Sequence, residues 1–188
     1  MGRVDRWGTG VAAAVLAVLG GGLPLLDSAL GRGGRPLAAG AVVAVGTERD
    51  GVRPVRVAVP SARWVLSAER SSLAARAALL SGDVVVNVRA VLPLGAADAR
   101  ALWRGLGRIV AAGGAARLQA DPVPFTTAGG LTGLTGRLSG PGRVGLAGVF
   151  TTGAVGATVT AAGPPEAFRR LAGEIEAMVR SLTIAAGR

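Results

Sequence analysis

A run of 20 uncharged and largely apolar residues, 7–26, lies close to the N-terminus and decides which solvent the rest of the chain meets. As a helix this run would be about 30 Å long, which matches the hydrocarbon core of a bilayer. Residues 1–6 form a short leader that contains Arg3 and Arg6. The run therefore predicts a single transmembrane anchor, although three consecutive glycines and Pro24 lower the helix propensity of its second half.

Two other interpretations of residues 7–26 stay open. A basic leader and an apolar core are also typical of a cleaved signal peptide, but the nearest cleavage candidate begins with Asp27, where a small residue is expected. In the third interpretation, the run folds into the core of a soluble cytoplasmic protein. Lipid attachment at a cysteine is excluded, because the chain has no cysteine.

The charges beside the run do not fix its orientation, since two arginines precede it and Arg32 and Arg35 follow it. A long following domain is translocated largely regardless of its charge. We therefore expect a single-pass protein of the cell membrane whose C-terminal domain is extracytoplasmic.

The rest of the chain divides into a linker and one domain. Residues 27–39 are rich in glycine and proline, which predicts a flexible linker. Residues 40–188 have the length of one ordinary domain. Apolar or alternating segments predict strands at 41–45, 55–59, 63–66, 72–80, 84–92, 117–120, 123–127, 131–138, 144–151 and 154–160.

Three pairs of these strands are separated by turn residues. Segments 41–45 and 55–59 should pair around the turn at 48–51, and 72–80 and 84–92 around 81–83. Segments 144–151 and 154–160 should pair around Gly153, deep in the sheet. The alanines of 72–80 would serve equally well in a helix. Trp64 is expected to be buried in the core.

Helical spacing of apolar residues predicts two helices. The first covers residues 96–112, with Asp98 in its first turn and one apolar face formed by Leu102, Leu106, Ile109 and Val110. The second begins near Pro165 and should bury Phe168, Leu171, Ile175, Met178 and Leu182 against a sheet. Its charged residues suggest two ion pairs, Arg170 with Glu174 and Glu176 with Arg180.

The chain lacks most side chains that enzymes use. It has no His, Cys, Lys or Tyr, so the usual general bases, nucleophiles and soft metal ligands are missing. The acidic residues of the domain are scattered singly, and the glycine-rich residues 129–136 lack the Gly-Lys-Ser/Thr ending of a phosphate loop. We predict a non-enzymatic protein with no catalytic residue, cofactor or metal. The alternative is a small hydrolase or transferase that uses carboxylates and hydroxyls.

Positive charge is concentrated after Asp27, where 19 arginines and nine acidic residues account for the whole net charge of +10. Such a domain favours anionic partners. No nucleic acid is expected, because the arginines are spread out and aromatic residues are few. The predicted first helix presents Arg100, Arg104 and Arg108 on its other face. This stripe is read mainly as a solvated face, with contact to anionic lipid or polymer as the alternative.

The order of elements resembles that of a known family. Early strands end in Arg63-Trp64-Val65-Leu66, a long hairpin and a helix follow, and a terminal amphipathic helix closes the chain. This order over residues 40–184 looks like the PsbP-like α/β/α sandwich and is similar to that of LpqN-type lipoproteins, whose cysteine is absent here. The resemblance implies a central antiparallel sheet and an accessory or binding role, and it assigns no binding residue.

The predicted fold class is α+β. A transmembrane helix is followed by a mostly antiparallel β-sheet, with a mid-chain helix and a C-terminal amphipathic helix packed on it. The predicted function is a non-catalytic accessory or binding role at the cell envelope. The expected partners are the membrane, through residues 7–26, and either a protein or an anionic lipid or cell-wall polymer.

Overall fold

The computed structural model describes residues 34–48, 51–92, 98–114 and 116–185. The predicted anchor at residues 7–26 lies outside these ranges. Within them, neither helix has the length and apolar character needed to cross a bilayer.

Short strands and two helices alternate along the chain. In the described ranges the strands are β1 (Gly34–Pro36), β2 (Val42–Val45), β3 (Val55–Ala58), β4 (Val65–Ser67), β5 (Arg76–Ser81), β6 (Val84–Val91), β7 (Arg117–Leu118), β8 (Val123–Thr126), β9 (Thr132–Gly140), β10 (Arg143–Thr151), β11 (Gly156–Gly163) and β12 (Thr183–Ile184). The helices are α1 (Ala99–Ala112), between β6 and β7, and α2 (Pro165–Arg180), between β11 and β12.

The strands form two antiparallel sheets. The larger sheet has the order β1-β4-β5-β6-β11-β10-β9-β7, with β8 also paired to β9, and the smaller has the order β12-β3-β2. Every strand pairing is antiparallel. Strands β10 and β11 pair with each other and lie between β9 and β6 in the interior of the larger sheet, which confirms the expected depth of the last predicted hairpin. The α+β class with a mostly antiparallel sheet and two packed helices is confirmed.

One face of the larger sheet, which we call the α2 face, contains the main core. Val84, Val86 and Val88 of β6 are fully buried there, and so is Phe150 of β10. These side chains share one apolar cluster with the smaller sheet and with α2. Alternation along β6 places every second residue on the opposite face, which we call the α1 face.

The C-terminal helix packs on the α2 face much as its spacing predicts. Leu171, Ile175 and Met178 are buried, and Leu182 is buried just beyond the end of the helix. Phe168 packs against the same apolar cluster but is only half-buried, so only its predicted full burial was wrong. The predicted Glu176–Arg180 ion pair is confirmed, with 2.5 Å between Oε1 and Nη2.

The other predicted ion pair of this helix, Arg170 with Glu174, was wrong. Glu174 instead pairs with Arg63, at 3.2 Å between Oε1 and Nε. The reason is that position 174 lies on the side of α2 that faces the loop before β4, where Trp64 is fully buried. The expectation that Trp64 is a core residue is confirmed.

Helix α1 differs in detail from its prediction. Asp98 is the N-cap rather than a first-turn residue, since its Oδ1 accepts a hydrogen bond from the amide of Ala101 at 2.6 Å. Trp103, which the apolar spacing did not include, is buried together with Leu106 and Val110. Leu102 and Ile109 are half-buried.

Two further boundaries differ from the sequence predictions. The predicted linker at residues 27–39 is too long at its C-terminal end, because β1 pairs with β4 and Leu37 is buried. Strand β5 begins only at Arg76, after a turn closed by the backbone of Ser72. The two-residue turn Gly82-Asp83 then joins β5 to β6, as the hairpin pattern predicts.

Candidate functional site

The predicted arginine stripe lies on the exposed side of α1. Arg100, Arg104 and Arg108 are all exposed, while Trp103 and Leu106 on the opposite side pack against β9 and β10. Over the described ranges, none of the ion pairs involves these arginines. The structure therefore brings the three predicted residues together as one solvent-facing row of positive charge.

A second group of polar residues lies on the α1 face of the larger sheet, beside the area that α1 covers. The register places Arg76 of β5 opposite Arg89 of β6, and Arg89 opposite Thr158 of β11. One step along the strands, Asn87 lies opposite Thr160. We call these five residues, all half-buried, the polar patch.

The register also shows where the polar patch lies relative to α1. Thr158 is paired with Val149, and Val149 belongs to the apolar cluster that contacts Trp103 of α1. Helix α1 packs mainly on β7, β9 and β10, and its Leu102 reaches Gly156 at the start of β11. The patch is formed by β5, β6 and β11, so it occupies the neighbouring part of the same face.

The two arginines of the patch affect each other electrostatically. Partial burial lowers the pKa of Arg89, and the charge of Arg76 lowers it further. Like charges directly opposite each other on neighbouring strands destabilise a sheet. Ala78, the neighbour of Asn87 across β5 and β6, is fully buried. The patch is thus a small, partly desolvated site with two guanidinium groups, two hydroxyls and one amide.

Arg143 is a third half-buried arginine of the sheet, and its contacts are structural. Its Nη2 donates to the carbonyl oxygens of Asp83 and Ala162, at 3.1 and 3.2 Å. These bonds tie the start of β10 to the β5–β6 turn and to the end of β11. Burial lowers the pKa of Arg143, with a smaller opposite effect from Asp83 and a lowering effect from Arg70.

The half-buried carboxylate of Glu174 links α2 to the loop before β4. Glu174 Oε2 accepts hydrogen bonds from Ser61 Oγ at 2.7 Å and from Trp64 Nε1 at 2.8 Å. Burial raises the pKa of Glu174, but these two hydrogen bonds and the charge of Arg63 outweigh it and hold the pKa below its ordinary value. All three donors fix the position of the carboxylate, so we assign this cluster to structure.

A shallow groove lies on the other side of the sheet, on the α2 face. Val144, Leu146 and Phe168 line it together with Arg117 and Arg137. Its lining is mostly apolar, and Val144 is exposed. Nothing in its geometry defines a particular ligand.

Metal binding was also considered. Within the described ranges, no group of three or more carboxylates is close enough together to hold a metal ion. The absence of a cofactor and of catalytic residues stays a prediction from the sequence.

Comparison with known proteins defines the class of fold. The solution structure of cyanobacterial PsbP (CyanoP) from Synechocystis sp. PCC 6803 is similar with a TM-score of 0.54 and 14% identity, and the match covers 87% of this chain and 100% of that chain. The Ran-binding protein Mog1p of Saccharomyces cerevisiae is similar with a TM-score of 0.51 and 10% identity, over 79% of this chain and 96% of that chain.

These similarities confirm the PsbP-like fold that the order of elements implied. No protein-family model matches the sequence, and no curated protein matches it significantly. The likeness to LpqN-type lipoproteins stays a prediction.

The polar patch was missed at the sequence level, although one signal pointed to it. Alternation in β6 separates Val84, Val86 and Val88 from Asn87 and Arg89. That pattern predicts one polar face, but it does not say which residues of other strands join it. The pairing of Arg89 with Arg76 and Thr158 depends on register, which only the fold supplies.

Proposed function

We propose that this chain is a non-catalytic accessory or binding protein of the cell envelope. Residues 7–26 anchor it in the membrane, and the PsbP-like domain lies on the extracytoplasmic side. In this position the domain faces anionic lipid headgroups, and it binds that surface with α1.

The exposed row Arg100, Arg104 and Arg108 is the observation that supports this proposal. Three arginines at four-residue spacing lie on one side of a helix and can reach one plane together. Each basic residue close to an anionic membrane surface contributes about 1 kcal/mol to binding. Three of them therefore give an attraction that is strong at low salt and is screened at high salt.

The fold comparison supports a binding role in a general way. One structure with this fold, Mog1p, is named as a Ran-binding protein, so the fold serves protein binding in at least one other chain. We therefore keep a protein partner as the second candidate for the domain.

Membrane attachment is tested separately from surface binding. The full-length protein should stay in the membrane fraction after a carbonate wash, and a reporter fused after Arg188 should be active outside the cytoplasm. Recovery of the protein in the soluble fraction would refute the anchor.

Surface binding is tested with the full-length protein in neutral nanodiscs and added vesicles. Arg100, Arg104 and Arg108 are replaced together by Gln, and the control replaces the exposed residues Arg56, Arg117 and Arg137 by Gln. Both variants lose the same charge. The first should lose most of its binding to anionic vesicles and the control should retain it. Equal losses in both variants, or equal binding to neutral vesicles, would favour a protein partner instead.

A further inference from the structure

The groove on the α2 face combines an apolar floor with two arginines at one side. Val144 and Leu146 of β10 and Phe168 of α2 form the floor, whereas Arg117 of β7 and Arg137 of β9 lie toward the edge of the sheet. Val144 is 37% exposed, and the other two floor residues are half-buried. An accessible apolar surface with a polar rim is typical of a binding site.

The two arginines are positioned to act on one chemical group. Arg117 lies opposite Ser139 in the ladder, two residues along β9 from Arg137. Such diagonal neighbours on adjacent strands are about 7–8 Å apart, which long side chains can bridge. Both arginines are exposed, and within the described ranges neither takes part in an ion pair. No acidic residue is among the described residues that line the groove, so its positive charge is available to a ligand.

The charge and the floor together indicate an anionic amphiphile. A carboxylate accepts bidentate hydrogen bonds from guanidinium groups, and its two oxygens can be shared between two arginines. An acyl chain would cover the apolar floor and remove it from water. A zwitterionic headgroup fits less well, because its cation would meet two arginines and no carboxylate.

The backbone of β9 disfavours a peptide strand as the ligand. One edge of β9 pairs with β10, and the other pairs with β8 and β7. Between those two short strands, the amide of Arg137 donates to Gln119 Oε1, and the carbonyl oxygen of Arg137 accepts from the amide of Gln119. Strand addition needs an exposed edge with unpaired N–H and C=O groups. An acyl chain has no such requirement.

We infer that the groove binds a long-chain fatty acid, with the carboxylate between Arg117 and Arg137 and the chain along Val144, Leu146 and Phe168. The shape of the groove alone does not select this ligand, but the combination of charge and apolar floor does. The arginine row of α1 lies on the other face of the sheet. The inference therefore does not depend on the proposed membrane contact.

The first test uses palmitic acid with a diazirine in its chain, added to the full-length protein in nanodiscs of neutral lipid. After illumination, mass spectrometry locates the adducts, and adducts outside the groove serve as the internal reference. We expect adducts on Val144, Leu146 or Phe168 that unlabelled palmitate displaces. Hexadecanol with the same diazirine should label the groove several-fold less, because it lacks the charge. The absence of groove adducts, or equal labelling by the alcohol, would overturn the inference.

Variants with matched controls test the rim and the floor. Arg117→Gln and Arg137→Gln should each lower the groove adducts about tenfold, the loss expected for one charge-assisted hydrogen bond. Arg56→Gln, at an exposed arginine of β3, should label as the unmodified protein does. Val144→Asp should abolish the adducts by repelling the carboxylate, whereas Val42→Asp, at an exposed valine of β2, should not.

All five positions are exposed, so the melting temperatures should stay close to that of the unmodified protein. Unchanged labelling in both groove-arginine variants, or equal losses in the controls, would overturn the inference.

Two further comparisons define the headgroup and the independence of the site. Lysophosphatidylglycerol has one acyl chain and a phosphodiester, and it should displace the probe less well than palmitate does. Equal displacement would refute selectivity for the carboxylate. The Arg100/Arg104/Arg108→Gln variant should keep the groove adducts even if its vesicle binding is lost, and the control variant of the vesicle test should lose the adducts while it binds vesicles. Loss of the groove adducts in the former would refute a separate site.

Discussion

The carboxylate of Glu174 connects helix α2 to the loop before β4, and its removal offers a quantitative test of the fold. In Glu174→Ala, the Nε1 of Trp64 loses its acceptor while the indole stays fully buried. An unsatisfied buried donor costs about 1–3 kcal/mol. The lost bond from Ser61 to a charged acceptor adds roughly 1 kcal/mol. The pair with Arg63 adds little, because that side chain is 58% exposed.

We therefore expect Glu174→Ala to lower the free energy of unfolding by about 2–4 kcal/mol at pH 7. Glu174→Gln is the matched control, because its amide oxygen can still accept from Trp64 or Ser61 while the charge is lost. It should lose about half as much. The measurement is urea denaturation of the full-length protein in a neutral detergent, followed by near-ultraviolet circular dichroism.

The pH dependence of this difference tests the electrostatic part of the argument. The pKa of Glu174 is lower in the folded protein than its ordinary value of 4.5. Its ionised form therefore contributes stability that is fully present above that ordinary value and is lost as the pH falls through the folded pKa. The gap between the unmodified protein and Glu174→Ala should narrow below about pH 4. A gap under 0.5 kcal/mol at pH 7, or one that widens in acid, would refute the reasoning.

Substitutions at four further positions test packing and capping, each by denaturation of the full-length protein. Ile175→Asp should cost several kcal/mol, because position 175 is 1% exposed and the new charge has no partner; near-normal melting would contradict the packing of α2. Gly173→Ala should stabilise α2 by about 0.5–1 kcal/mol, because the added Cβ would contact no other atom. In Gly145→Ala the added Cβ would lie 2.2 Å from the carbonyl oxygen of Ala161, so this substitution should destabilise the protein by about 1–3 kcal/mol or more. Equal effects of the two substitutions would contradict this contrast. Asp98→Ala should cost about 1 kcal/mol through loss of the N-cap of α1, and Asp98→Asn should recover most of it.

Local patterns in the sequence were sufficient for most elements of this fold. Apolar alternation located β6, the turn at 81–83 indicated that its partner β5 precedes it, and helical spacing located α2 almost to the residue. These signals work because each depends on neighbours within one strand or one helix. The strands β1 and β12 were not predicted, because they are three and two residues long, which is too short for any periodicity to define.

Interactions between distant elements were predicted less well, and Glu174 illustrates why. Within α2 its spacing from Arg170 favours a helical pair, which contributes only about 0.2–0.5 kcal/mol. The loop at residues 61–64 supplies three donors to the same carboxylate, one of them from a buried indole. Tertiary contacts of this strength override a local pair, but the residues lie 110 or more positions apart in the chain, so no spacing rule reveals them.

The polar patch and the arginine row of α1 differ in the same way. The arginines of the row recur every four residues, so the sequence alone reveals them. Such a row of exposed positive charge is sufficient to attract anions without selecting among them. The patch requires three strands in one register, with Arg76 and Arg89 directly opposed and Thr158 beside them. The hydrogen-bonded ladder fixes which residues of these strands lie opposite each other, so only the fold reveals the patch. A row set by spacing within one helix can therefore be predicted from the sequence, whereas a cluster set by the pairing of β6 with β11 cannot, because these strands are far apart in the chain.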